Sequence, residues 1–191
     1  MLTKIFATIN PLDAFLACIF FWIQYAGLKR GALVELFKLL STLIATFVAL
    51  HYYTRVAGIF YTKIAISRAA NDILAFALLW IVVGIIFKLL REGVILFQGK
   101  KGDGLPAPVG LTFAVAFVRG ILVCSLISFA FLIIENKPLA MTSIKSKIIP
   151  ALAKLPINIY QKTYSGIFSK FFPKEELNES VLFFTTVPQV N

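Results

Sequence analysis

Four stretches of this chain are too long and too apolar for a small soluble domain: Leu12–Leu28, Val34–Tyr53, 73–97 and Val109–Ile134. A helix needs about 20 mostly apolar residues to cross a bilayer, within a range near 17–25. The apolar residues come in continuous runs, not in alternation, which argues for spanning helices. The expected fold is an all-α integral membrane protein with a bundle of about four transmembrane helices and C-terminal amphipathic interfacial helices. The transmembrane domain is expected over 1–137, amphipathic membrane-surface helices over 138–172, and a polar, strand-like tail over 173–191.

Composition supports this. Of 191 residues, 59% are hydrophobic and 15% charged, where a soluble domain carries about a quarter charged residues. The length allows one compact bundle and little else. A net charge of +10 would raise nucleic acid in a soluble protein. Here the basic residues flank apolar runs or sit in the C-terminal third, as topology signals and contacts to anionic headgroups do. No nucleic-acid partner is expected. Cys18 and Cys124 both lie inside apolar runs, where cysteine behaves as a small hydrophobe. Lys4 precedes an apolar run, but Pro11 and Asp13 interrupt it, so the first span is expected to be retained.

The first span opens on "NPLDAF", with Asn10 and Asp13 as candidate caps and Pro11 in the first turn. The second carries Lys38 close enough to its end to snorkel. Asn71 or Asp72 is a candidate cap for the third. The fourth is less simple, because Arg119 and Gly120 fall near its middle. An arginine at the centre of a lipid-exposed helix costs about 2.5–3.5 kcal/mol. Either Arg119 faces the protein and pairs with Asp13, Glu35 or Asp72, or the region is a re-entrant hairpin of two short pieces, Val109–Val118 and Ile121–Ile134. The single helix is preferred.

Beyond Met141 the pattern changes. Ile144, Ile148, Leu152 and Leu155 share one helical face, with Lys147 and Lys154 opposite. Pro156 is expected to break that phase, and a second stripe follows: Tyr160, Tyr164, Ile167, Phe168 and Phe171. Both segments read as helices at the headgroup level, or as helices packed on a partner subunit. "FPKEELNES" reads as a polar connector, and "VLFFTTVPQV" is strand-like by residue type.

An arginine-glycine element occurs twice, in "KRGALVELFKLLSTLI" and "VRGILVCSLISFAFLI". It could be a weak internal repeat. In the first copy, Gly27 and Gly31 permit a hairpin turn, Lys29 and Arg30 meet phosphates, and Glu35 suits the first turn of the next helix. A plainer reading makes these residues topology signals alone. Gly120, after Arg119, is likewise a candidate turn glycine, allowing a close turn or a close helix approach.

The titratable inventory points away from an enzyme. His51 is the only histidine, and no Ser-His-Asp, HExxH or P-loop pattern is present. No catalytic residues, no cofactor and no metal ligands are assigned. His51, Tyr52 and Tyr53 close the second span, where amphipathic rings anchor at the interface. Asp13, Arg30, Glu35 and Arg119 are the candidate functional charges, because an ionisable group at membrane depth marks a site by default. A buried ion pair that fixes helix register is the structural alternative.

Asp13 at the first span, "GLKRGALVELFKLLSTLIATFVALHYYTRV" after it, and the later "FVRGILV" resemble the colicin V production protein (CvpA) family over roughly Pro11 to Glu135. The family pattern has an acidic-basic pair before its last span, where this chain reads "APVG", Ala107–Gly110, so no role is carried over for that loop. The resemblance implies a small multi-pass protein of the bacterial inner membrane, tied to colicin V production, secretion and envelope function. It names a process and supplies no mechanism. The functional expectation is a non-enzymatic scaffold or accessory subunit of an envelope or secretion complex, in contact with membrane lipid and other membrane subunits or further copies of itself. The alternative is a small oligomeric transporter or channel component. The loops at Lys29–Arg30 and Lys88–Lys101 are expected on one side, preferably cytoplasmic, with cytoplasmic termini as the rival orientation.

Overall fold

The computed structural model describes residues 10–63, 66–97, 108–134, 146 and 148–183. Four helices are long and apolar enough to cross a membrane: α1 (Pro11–Leu28), α2 (Ala32–Tyr61), α3 (Arg68–Phe97) and α4 (Val109–Ile133). Helix α5 (Ile149–Thr163) continues through a π turn at Tyr164–Phe168 and a last turn at Ser169–Phe171, and α6 (Glu179–Phe183) follows. The architecture is all-α, as the apolar runs require. The fourth span is one helix, with no break at Arg119–Gly120.

Local signals set several boundaries. Leu12 N–H donates to Asn10 Oδ1 at 3.0 Å, with Pro11 in the first turn. Gly31 has φ +81°, the one positive φ among the described residues, and precedes α2 directly. That conformation favours glycine, so Gly31 is a true turn residue. Gly27 and Gly120 are not. Both lie inside helices where another chain segment comes close. A Cβ at Gly27 would stand 2.7 Å from the Ala116 Cβ, and one at Gly120 would stand 2.9 Å from Gln24 Nε2 and from Phe20. The two arginine-glycine elements therefore differ in conformation, one a turn and the other mid-helix.

Two spans are longer than the sequence pattern indicates. Helix α2 runs to Tyr61, not Tyr53, and α3 begins at Arg68, not Ile73. The polar "HYYTR" resembles a helix end, but Tyr53 and Ala57 are buried against neighbours, which sustains the helix. At 30 residues each and a rise of about 1.5 Å per residue, these helices exceed a hydrocarbon core of about 30 Å and must tilt or project. Asn71 and Asp72 do not cap α3. Ser67 Oγ accepts from Ala70 N–H at 3.3 Å, Asn71 Nδ2 donates to Ile66 O at 3.4 Å, and Asp72 accepts from Tyr61 Oη at 2.5 Å, tying α2 to α3.

Helix α4 is central, packing on α1, α2 and α5. Helix α2 presents Thr42, Ala45, Thr46, Ala49 and Ala57 inward, and such small residues let backbones approach closely in place of a hydrophobic drive between helices. Thr42 and Thr46 donate to the carbonyls four residues earlier, at 2.8 and 2.7 Å, and Ser128 donates to Cys124 O at 2.8 Å. Their hydroxyls are satisfied within their own helix and can be buried. The main core joins Leu50, Tyr53, Phe76, Phe129, Ile157 and Tyr160.

The C-terminal segment docks on the bundle. Pro156 is fully buried inside α5, and the helix passes through it. Tertiary packing outweighs the lost backbone bond. The inward face of α5 is Ile149, Ala153, Pro156, Ile157 and Tyr160. This is one position on from the predicted stripe, whose Ile148 is exposed and whose Leu152 and Leu155 are half-buried. Ile144 and Lys147 lie outside the described residues. The second stripe splits. Tyr160, Tyr164, Phe168 and Phe172 form a ring ladder over Phe47 and His51, while Ile167 and Phe171 point out. The connector is docked too, and Val181–Phe183 is helical, not strand-like, with Val181 fully buried. Residues 184–191 of that stretch lie outside the described residues.

Overfilling a tight helix contact costs about 1–3 kcal/mol. Gly27→Ala is therefore expected to lower the thermal unfolding midpoint in detergent, whereas Gly58→Ala, where a Cβ meets nothing within 4 Å, is expected to leave it level or raise it. Equal midpoints for the two variants would contradict the close α1–α4 approach.

Candidate functional site

Helices α2 and α4 bring their charges together at one level of the bundle. Glu35, in the first turn of α2, is 0% exposed. Its Oε1 accepts from Lys38 Nζ at 2.8 Å, and its Oε2 lies 2.8 Å from Arg119 Nε. Of the three acids open to Arg119 in the sequence, Glu35 is the partner. Asp72 is held by Tyr61, and Asp13 accepts from Ser146 Oγ. That serine also accepts from Ile148 and Ile149 N–H at 3.2 and 3.0 Å, so Asp13 anchors the start of α5 to α1. Lys38 turns inward to Glu35 and does not snorkel outward.

Gln24, which sequence reasoning passed over, and Gly27, read from the sequence as a turn glycine, complete this level. Gln24, buried in α1, donates from Nε2 to Ala116 O at 3.0 Å. A polar side chain inside an apolar span was the available signal. Gly27 lies beside it, with an added Cβ only 3.4 Å from Glu35 Oε2. Glycine here lets α1 close over the carboxylate.

Beside this cluster a cleft of about 940 Å³ opens between α3 and the α1–α4 pair. Arg30, Lys38, Lys88, Arg91 and Arg119 line it, together with Ile19, Ile23, Phe37, Trp80 and Phe87. Helix α3 packs along α2 but scarcely touches α4, which leaves the gap. Lys88 and Arg91 also face Glu92 at 4.0 and 3.6 Å. Arg91 Nε is buried with no hydrogen-bond partner among the described residues.

A second polar cluster surrounds His51. The sequence pattern makes His51 and Tyr53 interfacial anchors, but both are 2% exposed. Tyr52 is half-buried. Coverage by α5 and the connector is the reason. Phe47 stacks on His51 at 5.5 Å between ring centroids. Asn178 N–H donates to Tyr160 Oη at 2.8 Å, and Tyr160 Oη lies 2.9 Å from His51 Nδ1. The other ring nitrogen, Nε2, points at Glu175 Oε2, 3.6 Å away. Burial holds the Tyr160 phenol above its ordinary range, in keeping with a proton donor. Glu175 also pairs with Arg55 at 2.6 Å, and Asn178 Nδ2 donates to Leu50 O at 2.8 Å. These contacts pin the connector to α2. Among the described residues no group of three or more His, Cys, Asp or Glu could hold a metal ion.

Such a molecule belongs to the multi-pass helical membrane proteins, with one carboxylate, Glu35, buried inside the bundle. Residues 12–156 match the family model described as colicin V production protein, and the chain belongs to that family. No curated protein and no solved structure gives a match.

Breaking a buried ion pair by removing one partner costs about 3–5 kcal/mol. Glu35→Gln leaves Lys38 and Arg119 facing each other and is expected to show that loss in detergent unfolding. Glu35→Gln combined with Arg119→Gln is expected to cost less than the sum of the single losses, by about 1–3 kcal/mol. Strict additivity would mean that the two groups do not act as a pair. Tyr160→Phe deletes the only direct hydrogen bond drawn between α5 and His51, and is expected to cost about 1–3 kcal/mol in the same assay.

Proposed function

We propose that this protein is a non-enzymatic accessory or scaffold subunit of a bacterial inner-membrane complex that serves the envelope or secretion. Family membership supports the process. The observation that carries the scaffold reading is the outward surface of α5. Its inner face is locked onto α2 and α4, so its outer residues are held in fixed positions. Lys154, Asn158 and Lys162 are exposed there, and Ile148 and Leu155 form an apolar edge beside them. A rigid cationic face next to an apolar edge suits a partner subunit or the headgroup layer. In the orientation we prefer, the Lys29–Arg30 turn and the α3–α4 connection face the cytoplasm, and α5 belongs to the opposite end, with Asp13.

A transport or channel component is the second reading, and the cleft beside Arg119 is what favours it. Flux in proteoliposomes that disappears with Arg119→Leu would move the assignment there.

Full-length protein purified in mild detergent is expected to retain a stable partner complex. Truncation is a poor test, because Ile157 and Tyr160 belong to the core. Lys154→Glu with Lys162→Glu alters only exposed positions, and is expected to preserve the unfolding midpoint while reducing partner recovery at least tenfold. A partner-free monomer, or recovery indifferent to this double change, would sink the scaffold reading.

A further inference from the structure

We infer that the cleft between α3 and the α1–α4 pair is a binding site for a phosphate-bearing amphiphile, an anionic lipid with its headgroup among the basic side chains. This goes beyond the scaffold reading and rests on separate residues.

Charge is the first ground. Five cationic side chains, Arg30, Lys38, Lys88, Arg91 and Arg119, border one cavity. Among the described residues, two carboxylates stand against them, and both are already engaged: Glu35 by Lys38 and Arg119, Glu92 by Lys88 and Arg91. Among those residues, five cations against two acids leave an excess of three positive charges around the space. Arg30 lies within electrostatic reach of both Lys38 and Arg119, so these groups repel one another. Arg30 and Lys88 are exposed at the rim of the cleft, and at the bilayer surface such an excess attracts an anionic headgroup. Arg91 Nε, buried without a hydrogen-bond partner among the described residues, is a donor that an anion could satisfy. Guanidinium groups match phosphate oxygens in planar, two-pronged fashion, and lysine adds a mobile point charge.

Shape is the second ground. The cavity of about 940 Å³ lies near the top of the range for sites that enclose a small molecule, roughly 300–1,000 Å³. It is much larger than a phosphate group. Beyond the basic residues its wall is mainly apolar, formed by Ile19, Ile23, Phe37 and Trp80, with Ser41 and Thr42 as the polar members. Gly84 also lines it, and a Cβ there meets nothing within 4 Å. Space for hydrocarbon thus continues directly from space for an anion. A phosphate with an attached chain satisfies both, whereas a free phosphate satisfies only the first. The wide gap exists because α3 leaves α4 along this half, where Ile81, Ile85, Leu89 and Leu90 are all about half-exposed or more.

The test is titration of the full-length protein in detergent with dioleoyl phosphatidylglycerol, dioleoyl phosphatidylcholine and inorganic phosphate, with bound probe read by native mass spectrometry. Phosphatidylglycerol is expected to bind at least tenfold more tightly than phosphatidylcholine. Arg30→Gln, Lys88→Gln and Arg91→Gln combined should remove that preference and leave the Glu35–Arg119 pair intact. Gly84→Leu fills the apolar part without touching a charge, and is expected to weaken phosphatidylglycerol at least tenfold. Lys63→Gln with Lys174→Gln, two exposed cations that do not line the cleft, should bind as the unaltered protein does. Equal binding of the two lipids, or triple and Gly84 variants that bind normally while folded by their unfolding midpoints, would overturn the assignment. Binding of inorganic phosphate as tight as that of the lipid would overturn the amphiphile in favour of a free anion.

Discussion

A carboxylate with no exposed surface organises this molecule. Glu35 cannot stay ionised in an apolar bundle unless neighbours compensate it, and Arg119 cannot occupy the middle of a spanning helix unless an acid meets it. Each makes the other tolerable, and Lys38 takes the second carboxylate oxygen. The contact sets the rotation and height of α2 against α4. Helix α1 then closes over it through Gly27 and hydrogen-bonds α4 through Gln24. Three spans are thus registered by polar contacts in a setting where apolar side chains gain little by choosing one neighbour over another.

The same arrangement creates the cleft. With α4 committed to α1, α2 and α5, it has little surface left for α3. Helix α3 packs along α2 instead and stands away from α4 at its C-terminal half. The charges that would repel one another in a closed bundle line that gap. At the other end, α5 and the connector cover α2 through Tyr160, His51, Asn178 and the Glu175–Arg55 pair. The chain belongs to the colicin V production protein family. The geometry adds two places where chemistry can occur, a basic cleft at one end and a docked cationic helix at the other.

Much of the framework was legible in the residues. The four spans, the Asn10 cap and the Gly31 turn follow from local rules that need no partner: run length, side-chain capping, and a backbone conformation that favours glycine. The demand that Arg119 meet an acid followed from the cost of an unpaired ion. Which acid it meets did not, because Asp13, Glu35 and Asp72 look alike until helix rotations are known. Lys38 was read as snorkelling because its position along the span is visible and its direction is not. His51 and Tyr53 carry the residue types of an interfacial anchor; Tyr160, 109 positions away, covers His51, and Phe76 of α3 packs on Tyr53, and those contacts make them core residues.

The sequence alone determined that this is a helical membrane protein with about four spans and a few ions that must be compensated. Apolar run length and the cost of charge in hydrocarbon are properties of single segments. Tertiary structure decided the Glu35–Arg119 pairing, the docking of α5 through Pro156, and the gap between α3 and α4. Each depends on contacts between positions far apart in the chain, and apolar helices of similar composition can pack in many registers until particular small and polar residues select one.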